Sequence, residues 1–368
     1  MNLGATIGAT NSRLRHRLSA RYFDSDNRNL LDGIEDSSSA SERLTFGYQA
    51  DIALGENMLA LALEHEDTQF KQRGAVVWGD PNQDQEMDVT SVIADFQGRS
   101  IEDITWLLSA RLDNNSDFDD IVTGRASIAW DVAGETMLSA NIGTGQKAPT
   151  FIERYGYFPG QFVGNPDLKP EQSVSYDIGI EQRIASSASI QIAVFRQTVE
   201  DEIDGFVFDP ESGLFTARNL DTTSKRGGVE VGARWTVSEH LDLSMNYTYT
   251  DSTENGATEL RRPRHAGNAT IDANFLEGRA RLMLAADFGG TRQDIYFPPW
   301  PEPSEIVALD SYWLLDLTAQ YQATDSIKLF VRASNLLDTD YEQVYGYNTP
   351  GRAWYGGVRI HFGNQATP

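Results

Sequence analysis

The sequence predicts an all-β protein, an antiparallel up-and-down transmembrane β-barrel. Three observations predict it. Apolar and polar residues alternate with a period of two almost end to end. The connections between the alternating segments are by turns short and long. No run of 18 or more apolar residues occurs, so any membrane crossing has to be made by strands, which need only about 9–11 residues each.

The alternating segments follow in chain order. Leu44, Phe46, Tyr48, Ala50 and Ile52 alternate with Arg43, Thr45, Gly47, Gln49 and Asp51. Val174 to Ile184 alternates in the same way, as do Leu241, Leu243, Met245, Tyr247 and Tyr249 with Asp242, Ser244, Asn246 and Thr248. Trp313, Leu315, Leu317 and Tyr321 interleave with Leu314, Asp316, Thr318 and Gln320. Trp354, Val358, Ile360 and Phe362 interleave with Tyr355, Gly357, Arg359 and His361. Successive strand side chains point to opposite faces, so each segment reads as a strand with one apolar and one polar face. No segment reads as a helix.

Short connections fall near 55–57, 99–102, 133–135, 185–187, 238–240, 276–278 and 323–325. Long ones fall near 26–40, 72–88, 147–171, 204–222, 253–263, 295–310 and 338–352, with 114–120 a shorter link in a long position. Outer-membrane barrels sort their loops this way, with tight periplasmic turns and extended outer loops. The segments count to roughly 16 or 17 strands of about 10–15 residues. Trp130, Tyr176, Trp235, Tyr247, Tyr249, Trp313, Tyr321 and Trp354 sit near segment ends, where an interfacial aromatic girdle would use them.

Composition narrows the function. The 368 residues carry a formal net charge of -24, which disfavours nucleic acid as a partner. There is no cysteine, hence no disulfide framework and no thiolate metal site. Gly143-Thr144-Gly145-Gln146-Lys147-Ala148 fits a dinucleotide fingerprint formally, but Pro149 follows where that motif must open a helix. His16, His65, His240, His265 and His361 are scattered without zinc spacing, and no Gly-x-Ser-x-Gly occurs. The sequence gives no motif for an enzyme; an outer-membrane hydrolase is the enzyme alternative.

Gly164-Asn165-Pro166-Asp167-Leu168-Lys169-Pro170-Glu171 lies in a long connection just before an alternating segment. Asn-Pro starts a turn, and Pro170 fixes the chain ahead of the strand. The stretch resembles the Asn-Pro-x-Leu-x-Pro-Glu signature of TonB-dependent outer-membrane receptors. Asn335-Leu336-Leu337-Asp338-Thr339-Asp340-Tyr341 resembles the signature before the family's last outer loop. The continuation Tyr345-Gly346-Tyr347 to Gly351-Arg352 is similar to the cobalamin (vitamin B12) branch, as are Gly143–Pro149 and Leu260-Arg261-Arg262-Pro263. Phe362 fits the aromatic residue on which the family's last strand ends.

The resemblance implies energy-coupled uptake of a scarce nutrient, cobalamin ahead of an iron-siderophore, with a passive porin as the alternative. It implies the bacterial outer membrane as location, with lipid, lipopolysaccharide and the barrel-assembly machinery as partners and no chemistry done on the ligand. The family's barrel has 22 strands around a plug. Neither the plug, the TonB-binding segment nor about five leading strands is expected here, and Met1 to Ile7 lacks the features of a secretory signal. The expectation is therefore an N-terminally incomplete receptor barrel over 1–362 with a short tail at 363–368, inactive alone and reaching TonB only through the absent part.

Two kinds of site are expected. Aromatic and polar side chains above the lumen would capture the ligand. Loop 147–171 offers Arg154, Tyr155, Tyr157, Phe158 and Phe162, loop 295–310 offers Tyr296 and Trp300, and loop 338–352 offers Tyr345 and Tyr347. No resident cofactor is expected, but hard oxygen ligands cluster at Asp24, Asp26 and Asp32 and again at Asp117 and Asp119, and could hold Ca2+. The first set departs from the EF-hand pattern because Arg28 takes the third ligand position.

Overall fold

The computed structural model describes residues 1–362 except 10, 11, 78, 102 and 300. In chain order the elements are β1 (Asn2–Ile7), β2 (Leu14–Leu31), β3 (Ile34–Leu54), β4 (Asn57–Gly74), β5 (Gln83–Ile101), β6 (Ile104–Asn115), β7 (Ile121–Asp131) and β8 (Thr136–Lys147). There follow α1 (Phe151–Tyr155), β9 (Tyr157–Phe158), β10 (Phe162–Val163), β11 (Glu171–Ala185), β12 (Ala188–Glu200), β13 (Ile203–Asp209) and β14 (Leu214–Asn219). The rest is β15 (Ser224–Ser238), β16 (Leu241–Glu254), β17 (Ala257–Thr258), β18 (His265–Phe275), β19 (Ala280–Gly289), β20 (Arg292–Tyr296), β21 (Glu305–Leu309), β22 (Tyr312–Thr324), β23 (Ile327–Ser334) and β24 (Ala353–Ile360). Eighteen of these strands share one sheet, among them the two-residue β17. This is the antiparallel up-and-down architecture that alternation predicts. The contacts group the chain into two compact units.

The first unit holds Met1–Trp130, Ser139–Tyr176 and Gln197–Ser224. Its strands β1 to β7 pair antiparallel with their sequence neighbours. Register aligns Leu18, Tyr48, Leu63, Val92 and Leu112 across five strands, and all five are exposed. Five large apolar side chains facing outward suit lipid and not water. The opposite face buries polar groups instead: Thr45, Asp51, Thr68, Gln72, Ser91 and Asp113. Arg15 and Arg17 both bond Asp51 Oδ2, at 2.9 and 2.6 Å through Nη2. Ser91 Oγ and Arg111 Nε donate to Asp113 Oδ1 at 2.5 and 2.7 Å.

The second unit holds Asp131–Leu138, Asp177–Arg196 and Lys225–Pro368. It repeats the outward apolar rows, with Trp235, Ile271, Tyr321, Leu329 and Val358 exposed. Trp235, Leu243 and Ile271 stand in one register row, and Tyr321, Leu329 and Val358 in another. Exposed Trp313 and Trp354 lie near strand ends, as the girdle expectation requires.

The structure corrects four expectations. The stretch 26–40 is not a loop: β2 and β3 run through it to a two-residue turn at Asp32-Gly33, both with positive φ. Strands here reach 18 to 21 residues, longer than expected, because Ser and Asn side chains hide their β pairing from a composition reading. A helix is present, α1, too short for a periodic signal but closed by a full capping box between Thr150 and Glu153. Finally, β24 stops at Ile360, and Phe362 lies beyond it at 93% exposure. The tail 363–368 lies outside the described residues.

Candidate functional site

In the first unit, the connections 147–171 and 200–224 build one small structure. Its strands form a four-stranded sheet in the order β13-β14-β10-β9. Phe162, Leu168 and Ala217 are its buried core, with Phe158, Ile203 and Phe215 packed on them. Phe206 stacks on Phe215 at 4.1 Å between centroids.

The first signature seats this sheet. The Asn165 amide N–H donates to Glu153 O at 2.8 Å, and its Nδ2 donates to Ala217 O at 3.1 Å. Its Oδ1 accepts from Asp167 N at 3.0 Å, an Asx turn that aims Pro166 outward. Leu168 fills the core. Lys169 N donates to Asn219 Oδ1, and Asn219 Nδ2 returns a bond to Lys169 O, both at 2.9 Å. Glu171 accepts from Lys147 Nζ at 2.9 Å and from Ile203 N at 3.1 Å. Gly164 is required because a Cβ there would meet the Arg154–Tyr155 backbone at 2.6 Å.

Among the expected ligand residues of this loop, Arg154 is 9% and Phe162 5% exposed. Arg154 pairs with Asp117 and lies over the Phe118 and Tyr155 rings, each 4.6 Å from the guanidinium carbon. Both side chains hold loops together. Tyr155, Tyr157 and Phe158 are half-buried. Gln72 Nε2 donates to Tyr157 O at 2.9 Å, tying the loop to β4. The open rings are instead Phe206 at 62% and Phe208 at 54%, which the sequence reading passed over. The aromatic and β-branched run Phe206-Val207-Phe208 was the available signal for a strand there.

In the second unit, β20 and β21 pair as a hairpin inside the long connection 290–311. Asp294, fully buried, accepts from Arg261 Nε and Tyr345 N, both at 2.7 Å, and from Ile295 N at 2.8 Å. Burial pushes this carboxyl up, but those two amides and the Arg261 guanidinium outweigh it and hold it below the usual carboxylate range. Tyr296 and Tyr345 rings meet at 5.2 Å. Tyr347 is 71% exposed. Trp300 lies outside the described residues.

The second signature is another loop clamp. Buried Asn335 has φ 48°. Its backbone N–H donates to Asp316 Oδ1 at 2.9 Å, its Nδ2 to Thr339 O at 2.8 Å, and its Oδ1 accepts from Thr339 N at 2.9 Å. Asp338, φ 58°, accepts from Arg352 N at 2.8 Å. Tyr341 packs on Tyr312 at 4.7 Å.

The expected calcium ligands are not brought together. Asp24 and Asp26 lie on β2, where Asp26 accepts from Arg28 Nη2 at 3.0 Å. Asp32 is in the turn, Asp117 is taken by Arg154, and Asp119 is exposed. Among the described residues no group of three or more carboxylates or imidazoles is gathered as a metal site.

An antiparallel sheet with one polar and one apolar face, carrying long loops rich in aromatic side chains, has the surface pattern of a transmembrane β-barrel wall. The family model for the TonB dependent receptor-like β-barrel matches residues 2–336, and the chain belongs to that family. The chain is 27% identical over 371 aligned residues to the vitamin B12 transporter BtuB of Photobacterium profundum, covering 98% of this chain and 57% of that protein. The siderophore receptor PirA from Acinetobacter baumannii superposes with a TM-score of 0.81 at 18% identity, over 98% of this chain and 62% of PirA. The copper transporter OprC superposes with a TM-score of 0.77 at 14% identity, over 98% of this chain and 67% of OprC. The chain thus spans little more than half the length of the B12 transporter it matches.

Proposed function

We propose that this chain supplies the barrel wall and outer loops of a receptor for TonB-energised nutrient uptake across the bacterial outer membrane, with cobalamin as the ligand ahead of an iron-siderophore. One observation carries the receptor reading. Both signatures hold long outer loops in fixed positions while leaving aromatic rings such as Phe206, Phe208 and Tyr347 open. A passive pore has no use for aromatic surface held this way. The likeness to a vitamin B12 transporter supports cobalamin over the siderophore. The loops capture the ligand, and TonB supplies the work through the plug-bearing part of the receptor.

The test is equilibrium binding of cyanocobalamin and of a ferric siderophore to the chain in detergent, with planar-bilayer conductance measured in parallel. Saturable cobalamin binding that salt does not weaken supports the reading. Ohmic conductance without binding of either ligand moves the porin to first place.

A further inference from the structure

The β2–β3 hairpin has two chemically different faces. On one, Asp24 stands opposite Glu42 and Arg28 opposite Ser38. On the other, which continues the face of buried Thr45 and Asp51, the opposed pairs are Ser25–Ser41, Asn27–Ser39 and Asn29–Ser37. Six side chains in three rungs thus carry hydroxyls and amides and no charge. Asn29 Nδ2 donates to Ser37 Oγ at 3.0 Å, which fixes the last rung.

A pocket of about 490 Å³ opens at the end of this ladder. Asn29, Ser37 and Gln72 form its wall, and Tyr157, Phe158 and Gln161 its loop side. Among the described residues no Lys or Arg lines it, and its one charged lining residue is Asp36. Several cations of the same unit are committed elsewhere, and Arg43, further along the ladder face, pairs with Glu66 at 3.3 Å. Arg154 pairs with Asp117, Arg73 with Asp84 at 2.7 Å, and Lys147 with Glu171 at 2.9 Å.

A polyanion entering this pocket would shed water and find only Asp36, a like charge. An uncharged ligand would find the Ser37 hydroxyl, the Asn29 side-chain carbonyl and the Gln161 amide beside an aromatic edge, while Gln72 is taken by Tyr157 and Gln83. We propose that the Ser/Asn face of the β2–β3 hairpin and its pocket form a binding subsite for an uncharged, amide- or hydroxyl-rich ligand, and that this subsite selects against polyanionic iron chelates. The proposal rests on the receptor reading above and deepens it by naming the ligand's charge class.

The test measures binding of three probes to the whole chain: cyanocobalamin, a cobalamin whose side-chain amides are hydrolysed to carboxylates, and a ferric tricatecholate. The variants are Ser37→Val and Asn29→Leu, both in the pocket wall, and Glu42→Gln on the opposite face, each checked for folding by heat-modifiable gel migration. Cyanocobalamin should bind, the carboxylate form at least about tenfold more weakly, and each subsite variant about tenfold more weakly than the parent, as one lost ligand hydrogen bond predicts. Glu42→Gln should leave binding unchanged. Cyanocobalamin binding that both subsite variants leave intact overturns the subsite while the receptor reading stands. Equal or tighter binding of either anionic probe overturns the selection. Binding of none of the three overturns both.

Discussion

Two asparagines, Asn165 and Asn335, explain why the signatures have the residues they have. Each uses its side-chain carbonyl and amide on backbone groups that no strand ladder satisfies. A short amide side chain does this, and Asn also tolerates the left-handed backbone that residue 335 adopts. Asn335→Ala should therefore cost about 2–4 kcal/mol, from the two half-buried Thr339 backbone groups it orphans and from the strained φ. Limited proteolysis should then cut within 338–352 while the strands stay intact. Asp294 adds a pH dependence. Its folded pKa is depressed, so its stabilising effect is complete above the unfolded carboxylate value of about 4 and is lost as pH falls through the lower folded value. Amide hydrogen exchange at Tyr345, taken relative to the intrinsic rate at each pH, should accelerate on acidification in the parent. In Asp294→Asn it should be fast throughout and independent of that titration.

At the scale of elements, the small four-stranded sheet depends on the approach of the Gly164 backbone to α1. Gly164→Val puts a side chain into the Arg154–Tyr155 peptide, and no flexible neighbour can yield. The expected result is that Phe162 leaves its core and residues 151–170 and 203–219 become protease-sensitive, with strands β1 to β7 unaffected. The helix α1 has only five residues and would not persist without its cap. Thr150→Ala should weaken the same region by about 1 kcal/mol, a milder form of the Gly164 phenotype. These elements were half legible. Asn165, Pro166, Leu168, Pro170 and Glu171 stood out as a motif, but Ala217, Asn219 and Ile203, the partners of Asn165, Lys169 and Glu171, lie 52, 50 and 32 residues downstream in a connection with no motif of its own. Arg154 and Phe162 looked like ligand residues because residue type alone does not show that a loop folds back on another loop.

At the scale of the whole molecule, the barrel is inside-out by the standard of a soluble protein, with apolar rows exposed and polar groups buried. That order follows from the solvent on each side. Leu63→Arg, at an outward position 51% exposed, should cost about 2–4 kcal/mol of folding stability in lipid if the site lies near the bilayer midplane. The same change should have little effect on secondary structure in detergent. The folded fraction in vesicles, read by heat-modifiable migration, measures the difference.

The sequence by itself determined the all-β class, the strand faces and the parity of the loops, because side-chain alternation is a local property with a period of two. It also marked both signatures, whose short-range turns are set by Asn, Asp and Pro. Only the tertiary structure decided that 26–40 is strand, since the Ser and Asn rungs pair with residues the chain reaches after a turn. Only it decided that Arg154 and Phe162 are packed, that Phe206 and Phe208 are open, and that an uncharged ladder faces one side of the β2–β3 hairpin. Each of these depends on which residues become neighbours across strands and between loops, and that pairing is fixed by register and by long-range hydrogen bonds that no local pattern contains.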